Sequence, residues 1–284
     1  MVNLMSPHAK RGGVRLKNPN SSLLPKSSKV VVLIDKPAGI TSRAAAESVR
    51  TTLGARKAGD TGTLDPSATG VLIVCLDEST KAMPLLMGLD KEYISTIGFH
   101  REINKQQLID GLKAFTGNVK QLPPVKSAVA RKERVRKVYS IELLKFSGNK
   151  AEVKICCEAG FYVRKFAHDL GQFLGCGAQS LSIRRTAIGK ISLAECVKPS
   201  EVSPENSISL EELLEKIWIK KVSVKKEALT DIKNGRKIKK EHIIESDIGE
   251  ANLIGIYMGK EIVALGKVFR EKGEVYIKPD RVFN

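Results

Sequence analysis

The sequence has no Cys-x-x-Cys pair, no long apolar run, no internal repeat and few aromatic side chains. Its five cysteines (Cys75, Cys156, Cys157, Cys176, Cys196) are an odd number. A disulfide framework or a thiolate zinc site is therefore not expected, and buried thiols are. The longest apolar runs, Val30 to Ile34 and Val71 to Leu76, fall far below the ~20 residues of a membrane-crossing helix, so no membrane partner is expected. The N-terminus lacks the apolar segment of a secretory signal, which points to the cytoplasm or nucleus, with the cytoplasm preferred. Aromatics at 5% make a base-stacking groove for arbitrary single strands unattractive. Acidic residues are missing altogether from residues 1–29, which hold Lys10, Arg11, Arg15, Lys17, Lys26 and Lys29.

What is present is charge of one sign. Lys and Arg number 48 against 31 Asp and Glu, a formal net charge of +17 over 284 residues. Such an excess favours polyanions, because cations that neutralise phosphates release counterions. Beyond the N-terminal arm, Arg131, Lys132, Arg134, Arg136 and Lys137 crowd around a single Glu133, and a third cluster between 220 and 240 includes Lys225, Lys226, Arg236 and Lys237. One run of charge is usually a solvated face; three in one chain turn the expectation towards nucleic acid. Hydrophobic residues at 42% supply a proper core and exclude wholesale disorder.

Along the chain, residues 1–28 read as a flexible basic arm with Pro7, Pro19 and Pro25. Strands are expected at Val30 to Ile34, Val71 to Leu76, Glu92 to His100, Val138 to Phe146 and Ala151 to Glu158. Helices are expected at Ala44 to Leu53, at Asn104 to Phe115 with Asn104 as its cap, and at Phe161 to Leu174 from the apolar spacing. Gly54 to Gly70 should be a long structured loop, and such loops tend to be functional. The first unit should end near Ser207. A capping box of Ser209 and Glu212 opens a connecting helix over 208–218. A small β-rich unit over 219–284, with glycine turns at Gly235, Gly249, Gly255, Gly259, Gly266 and Gly273, should pack on the first. The expected class is α+β.

The stretch Gly59 to Gly70 (GDTGTLDPSATG) is the most distinctive. Asp65 precedes Pro66, which restricts its backbone to extended conformations. A carboxylate held in that way suits nucleophilic or acid–base work. From the loop alone, an aspartate that only caps a turn or accepts from a backbone N–H is the commoner part.

Ala58 to Leu72 resembles the active-site loop of the TruB/dyskerin family of RNA pseudouridine synthases. Asp35 to Ser42 (DKPAGITS), Lys91 to Tyr93, Gln121 to Val129 (QLPPVKSAV), Arg136 to Tyr139, Glu158 to Arg164 (EAGFYVR) and Ile183 to Thr186 (IRRT) match in order. The resemblance covers about residues 29–200. Gly259 to Lys267 and Lys278 to Phe283 resemble, more weakly, the PUA domain appended to many members.

The resemblance implies a mixed, mainly antiparallel sheet with flanking helices over 29–207 and a small PUA β-barrel over 219–284. It implies that Asp65 initiates breakage and re-formation of the uridine glycosidic bond, without metal, nucleotide or redox cofactor. Tyr93 aligns with the aromatic that packs on the flipped base, an ordinary core tyrosine being the alternative. Arg164 aligns with the arginine that pairs with the carboxylate. Tyr162 would line the pocket, and Ile183 stands where leucine is usual. Lys36 is the lysine of the first strand–turn, with a structural part and an RNA contact equally open. Asp60 departs from the family's usual histidine, five residues before Asp65, and a second carboxylate there would repel Asp65 or phosphates if it faced inward. An active enzyme is expected.

Within the family, some members act alone on the tRNA T-loop. Others are catalytic subunits of H/ACA guide-RNA particles, acting on rRNA as well, with small partner proteins. Ser127 to Lys137 resembles the thumb loop of the second, archaeal and eukaryotic, group, and the basic C-terminal cluster suits a guide RNA. The archaeal type is expected, with the unguided tRNA T-loop still open. The acid-free arm and the end at Asn284 differ from the pattern expected of it. The rivals are a non-catalytic RNA-binding scaffold and a basic structural protein of a ribonucleoprotein, neither of which needs the Asp65, Tyr93 and Arg164 set.

Overall fold

A computed structural model describes residues 29–123, 132–271 and 274–283. The arm over 1–28, Arg131 and Gly273 lie outside these residues, as does most of the loop after Gln121.

The chain order is β1 (Val30–Lys36), α1 (Ser42–Leu53), β2 (Ala58–Asp60), β3 (Thr69–Leu76), α2 (Met83–Met87), β4 (Lys91–Phe99), α3 (Lys105–Ala114), β5 (Gly117–Gln121), β6 (Arg134–Ser147), β7 (Lys150–Cys157), α4 (Val163–Phe173), β8 (Ala178–Ile188), β9 (Ile191–Ser192) and β10 (Ile208–Ser209). Then follow α5 (Leu210–Lys216), β11 (Lys221–Val224), α6 (Leu229–Lys233), β12 (Ile243–Asp247), β13 (Leu253–Met258), β14 (Glu261–Glu271) and β15 (Glu274–Val282). The first ten strands form one sheet in the order β10-β1-β3-β8-β4-β7-β6-β5, with β2 added to β3 and β9 to β8. All its pairs are antiparallel except β3 with β8, which touch only at Thr69–Arg184 and Gly70–Arg185.

Strand patterns explain the layers. β3 is apolar at nearly every position because both its faces are covered, as a continuous apolar run requires. Leu72, Val74 and Leu76 pack with Val32, Ile34 and the α1 residues Ala45, Ala46, Val49 and Leu53. Val71, Ile73 and Cys75 pack instead with α5 and with Tyr257, Ile262, Leu265 and Phe283 from the C-terminal unit. β4 alternates buried and half-buried residues, the mark of a sheet with one face packed. Its inner Tyr93, Ile97 and Phe99 meet Leu108 and Leu112 of α3 and Phe166 and Leu170 of α4. Thr41 caps α1 by accepting from the Ala44 N–H at 3.0 Å, and Asn104 with Gln107 closes a capping box on α3.

The last five strands form a second sheet in the order β12-β11-β13-β14-β15. Val222, Val224, Ile254, Ile256, Ala264 and Ile277 share an apolar core with Ile232 of α6. Among the described residues its ladder stays open, with β12 and β15 at the edges, so the expected barrel is not closed by hydrogen bonds. Lys29 reaches across to Glu261 and the Ile262 carbonyl, and the Lys81 ammonium donates to the Val282 carbonyl at 2.7 Å. The two sheets therefore pack together, as expected.

Several boundaries differ from the sequence expectations. The long loop over Gly54 to Gly70 contains β2, because Ala58, Gly59 and Asp60 pair with Val74 to Leu76. β6 starts at Arg134, which places Arg134, Arg136 and Lys137 in a strand paired with β5. The connecting helix is only Leu210–Lys216, since Ile208 and Ser209 pair with β1. Gly255 and Gly266 lie inside strands: a Cβ on Gly255 would meet the Tyr257 ring and one on Gly266 the Ile256 side chain. Strand β8, at the centre of the large sheet, carried no expectation. Among the described residues no helix is long and apolar enough to cross a membrane.

Candidate active site

The loop between β2 and β3 is held at both ends by the strands that flank it and, in its middle, by neighbouring turns. The Ser42 hydroxyl accepts from the Leu64 N–H at 2.8 Å and donates to the Leu64 carbonyl at 3.2 Å. The Leu64 side chain is buried in the cluster that contains Tyr93. On the other side of Asp65, the Pro66 carbonyl accepts from the Gly39 N–H at 2.8 Å and from the Lys36 ammonium at 3.4 Å. The Ala68 N–H closes a turn on the Asp65 carbonyl at 3.0 Å. Asp65 is thus bracketed by residues that cannot move independently.

Its side chain emerges from this frame partly exposed, with relative accessibility of 37%. Arg164, the second residue of α4, meets it with both arms of the guanidinium: Nη2 donates to Oδ1 at 2.8 Å, and Nε lies 2.7 Å from Oδ2. Such a fork fixes the plane of the carboxylate as well as its position. The Arg164 side chain is itself 56% accessible, so it is a surface cation and a partner at once.

The start of α4 is set by Gln121, a buried residue at the end of β5. Its amide accepts from the Tyr162 N–H at 2.9 Å and donates to the Tyr162 carbonyl at 3.2 Å. This clamps the turn from which Arg164 extends. Tyr162 is half-buried. Ile183 packs against the apolar cluster shared by Leu64, Ala68 and Tyr93.

Tyr93 faces this cluster from β4, directly opposite Arg185 of β8. Burial pushes the Tyr93 pKa up; the Arg185 guanidinium opposes the shift and the Asp65 carboxylate adds to it. Asp65, Arg164, Tyr93, Tyr162 and Ile183 are accordingly drawn into one region by four different segments.

Lys36, for which a structural part and an RNA contact were equally open, takes the structural part here, its side chain fully buried. The ammonium donates to the carbonyls of Pro37 at 2.8 Å and Ile40 at 2.7 Å, besides Pro66. Burial, then the Arg185 charge, pushes its pKa down, with Asp65 pulling the other way. A lysine whose donors are all spent on backbone oxygens holds the turn together and has none to offer a phosphate.

Asp60, in β2, accepts from the Thr63 hydroxyl at 3.3 Å. Lys132 and Lys137 are exposed, and Arg134 and Arg136 half-buried. Arg136 lies 3.4 Å from Glu158, and the Lys137 ammonium sits over the Tyr139 ring. Lys225, Lys226, Arg236 and Lys237 are exposed on the second sheet's unit, Lys237 over the Tyr276 ring that stacks on Phe269. Of the cysteines, Cys75, Cys157 and Cys176 are buried and Cys156 and Cys196 half-buried. Gln121, Ser42, Lys91 and Arg185 were not among the sequence candidates. All four stand inside the matched motifs or beside them, but the contacts of Ser42, Gln121 and Arg185 are long-range and no spacing rule reveals them.

Comparison with known proteins places this geometry. Residues 50–108 match the TruB family pseudouridylate synthase N-terminal domain. A probable tRNA pseudouridine synthase B of Methanothermobacter thermautotrophicus is 45% identical over 159 residues, 56% of this chain and 49% of the relative, so that alignment spans about half its length. The probable tRNA pseudouridine synthase B of Methanopyrus kandleri is 34% identical over 245 residues, 86% of this chain and 69% of the relative. Among solved structures, one of a Cbf5-Nop10-Gar1 complex aligns with a TM-score of 0.79 at 29% identity, covering 91% of this chain and 86% of that one. Another, an H/ACA RNP bound to a substrate RNA containing 2'-deoxyuridine, aligns with a TM-score of 0.77 at 26% identity, covering 94% and 91%. The chain belongs to the TruB family of pseudouridylate synthases.

Proposed function

We propose that the chain isomerises uridine to pseudouridine in RNA, with Asp65 as the group that acts on the nucleotide. The observation that carries this is the forked Arg164–Asp65 pair, on a loop pinned at Leu64 and Pro66 and opening beside Tyr93. The reaction moves no atoms in or out. The N1–C1' bond of the uridine breaks, the base turns, a C5–C1' bond forms, and the proton lost from C5 is balanced by one gained at N1. An enzyme for it needs a fixed carboxylate, a surface for the everted base and a way to hold the base while detached. Tyr93 and Ile183 offer that surface, Tyr162 borders it and Arg164 orients the carboxylate.

The chain divides, in this reading, into a catalytic unit over 29–207, a connector over 208–218 and a PUA-like RNA-binding unit over 219–284. Lys132, Arg134, Arg136 and Lys137 would meet RNA near the site, and Lys225, Lys226, Arg236 and Lys237 would meet it on the second unit. Work as the catalytic subunit of a cytoplasmic H/ACA guide-RNA particle, on rRNA or tRNA, is supported by the Cbf5 complexes it resembles. Action on tRNA without a guide is supported by the names of its relatives. Tritium release from 5-tritiated uridine in a tRNA transcript, with and without an H/ACA guide and partner proteins, separates the two. Release that needs the guide fixes the first, release without it the second. Asp65→Asn should abolish release in either case while RNA affinity stays within a few-fold. An unaltered transcript in every arrangement would overturn the reading.

A further inference from the structure

We propose that Arg185 is a positioning residue for this reaction, fixing the Asp65 loop relative to Tyr93; the inference rests on the function proposed above. Arg185 is among the largest fully buried side chains, 1% exposed. Its Nε donates to the Val71 carbonyl at 2.8 Å and its Nη2 to the Gly62 carbonyl at 2.8 Å. Across the sheet it stands directly opposite Tyr93 of β4. Arg185 thus ties β3 to the loop that carries Asp65 at the point where the sheet faces Tyr93.

The location explains the choice of an arginine. β8 pairs with β3 only at Thr69 and Gly70, and β2 takes over the same edge of β3 from Val74 onwards. Between them the ladder is interrupted where the loop leaves the sheet. The Val71 carbonyl there would lack a partner, and the Arg185 fork supplies one while reaching the Gly62 carbonyl beyond the gap. Arginine's planar set of donors can satisfy several acceptors in one geometry; the lysine point charge cannot hold them at fixed angles.

The arrangement is poorly explained by stability alone. Among the described residues no carboxylate is hydrogen-bonded to the buried guanidinium; its hydrogen-bond partners are the Val71 and Gly62 carbonyls. Two further buried cations, Lys36 and Lys91, stand close enough to feel its charge. Burying a charge costs several kcal/mol, and well-packed apolar replacements of buried charges are often neutral or stabilising. Three like charges gathered under the loop oppose one another, and what they surround is the frame of Asp65 and Tyr93.

The test uses the full chain with whatever guide and partners the wild type requires. Arg185→Lys and Arg185→Met are each assayed for tritium release, RNA affinity and melting temperature, alone and combined with Tyr93→Phe. The expected result is a fall in kcat of about 100-fold for Arg185→Met, the scale of a ~1 Å misplacement. RNA affinity should stay within about 3-fold, because Arg185 does not reach the surface. Arg185→Lys should recover only part of the rate. In the Tyr93→Phe background, Arg185→Lys should cost less than in the wild type, since the hydroxyl that feels its charge is gone. Should Arg185→Met fail to fold, Arg185→Lys and the cycle with Tyr93→Phe decide. Unchanged kcat in Arg185→Lys, or an equal loss with and without the Tyr93 hydroxyl, overturns the inference. A wild type that releases no tritium overturns the proposed function instead, so the two failures are distinct.

Discussion

Replacing Gly70 by alanine tests the joint on which the site depends. Gly70 adopts φ +109°, a backbone region that side-chain-bearing residues enter only at a cost of about 1–3 kcal/mol. A Cβ there would stand 2.1 Å from the Arg185 carbonyl oxygen and 2.7 Å from the Arg185 nitrogen. Contacts between carbon and oxygen normally sit near 3.3–3.6 Å, so β8 must retreat from β3 by more than about 1 Å. Both clashing atoms are backbone, and no rotamer change relieves them. Overpacking of this kind adds about 1–3 kcal/mol, and with the strain the loss should reach about 3 kcal/mol or more. For a chain of this size that is a drop in melting temperature of roughly 6–12 °C. Gly39→Ala is the control: its φ is +90° but nothing lies within 4 Å of the added Cβ, so it should lose only the strain. Thermal denaturation of the two variants side by side measures the difference. Because the joint lies between the Asp65 loop and β4, uridine isomerisation by Gly70→Ala should fall by about 100-fold at temperatures where it is still folded. If Gly70→Ala melts no lower than Gly39→Ala, the argument from the β3–β8 joint is wrong.

Three further outcomes follow from the contacts described. Lys36→Met removes the donor shared by the Pro37, Ile40 and Pro66 carbonyls; it should destabilise the fold by about 1–3 kcal/mol and slow the reaction, while a filter-binding assay finds RNA affinity unchanged. Burial, with Arg185 nearby, pushes the Lys91 pKa down to about 8 from an ordinary 10.5. Between those values the unfolded chain holds a proton that the folded one has shed, so stability gains from Lys91 as pH rises through this window. Denaturant titrations at pH 7.5 and 10 should show the wild type improving relative to Lys91→Met, and a parallel pH response of the two would refute the assignment. Arg236→Glu with Lys237→Glu, on the second sheet's unit, should weaken RNA binding and lower the slope of log affinity against log salt by about 2; an unchanged slope would remove both from the RNA contact.

How much of this was legible in the sequence depends on how local its cause is. α3 was readable because Asn104 and Gln107 form their capping box within one turn. β1, β3 and β4 were readable because an apolar run or an alternation reports directly on whether two faces or one are covered. β8 was not, since its pattern mixes serines and arginines that range from exposed to fully buried, with partner strands in β3 and β4. β2 was hidden for a related reason: three residues containing a glycine become a strand only because Val74 to Leu76 offer an edge.

The sequence by itself determined that the chain is basic, that Asp65 precedes a proline in a glycine-rich loop, and that its ordered motifs follow those of one enzyme family. These are properties of composition and of neighbours along the chain. Only the tertiary structure decided which cations face solvent and which face inward. Lys36, Lys91 and Arg185 are indistinguishable in sequence from surface cations, and become internal braces because the strands bearing them meet around one loop. A side chain's role in such a place is set by which acceptors lie within its reach. Lys91 closes on the Met87 and Leu89 carbonyls of the turn before it, Lys36 adds Pro66 to two carbonyls of its own turn, and both acceptors of Arg185 come from a distant part of the chain.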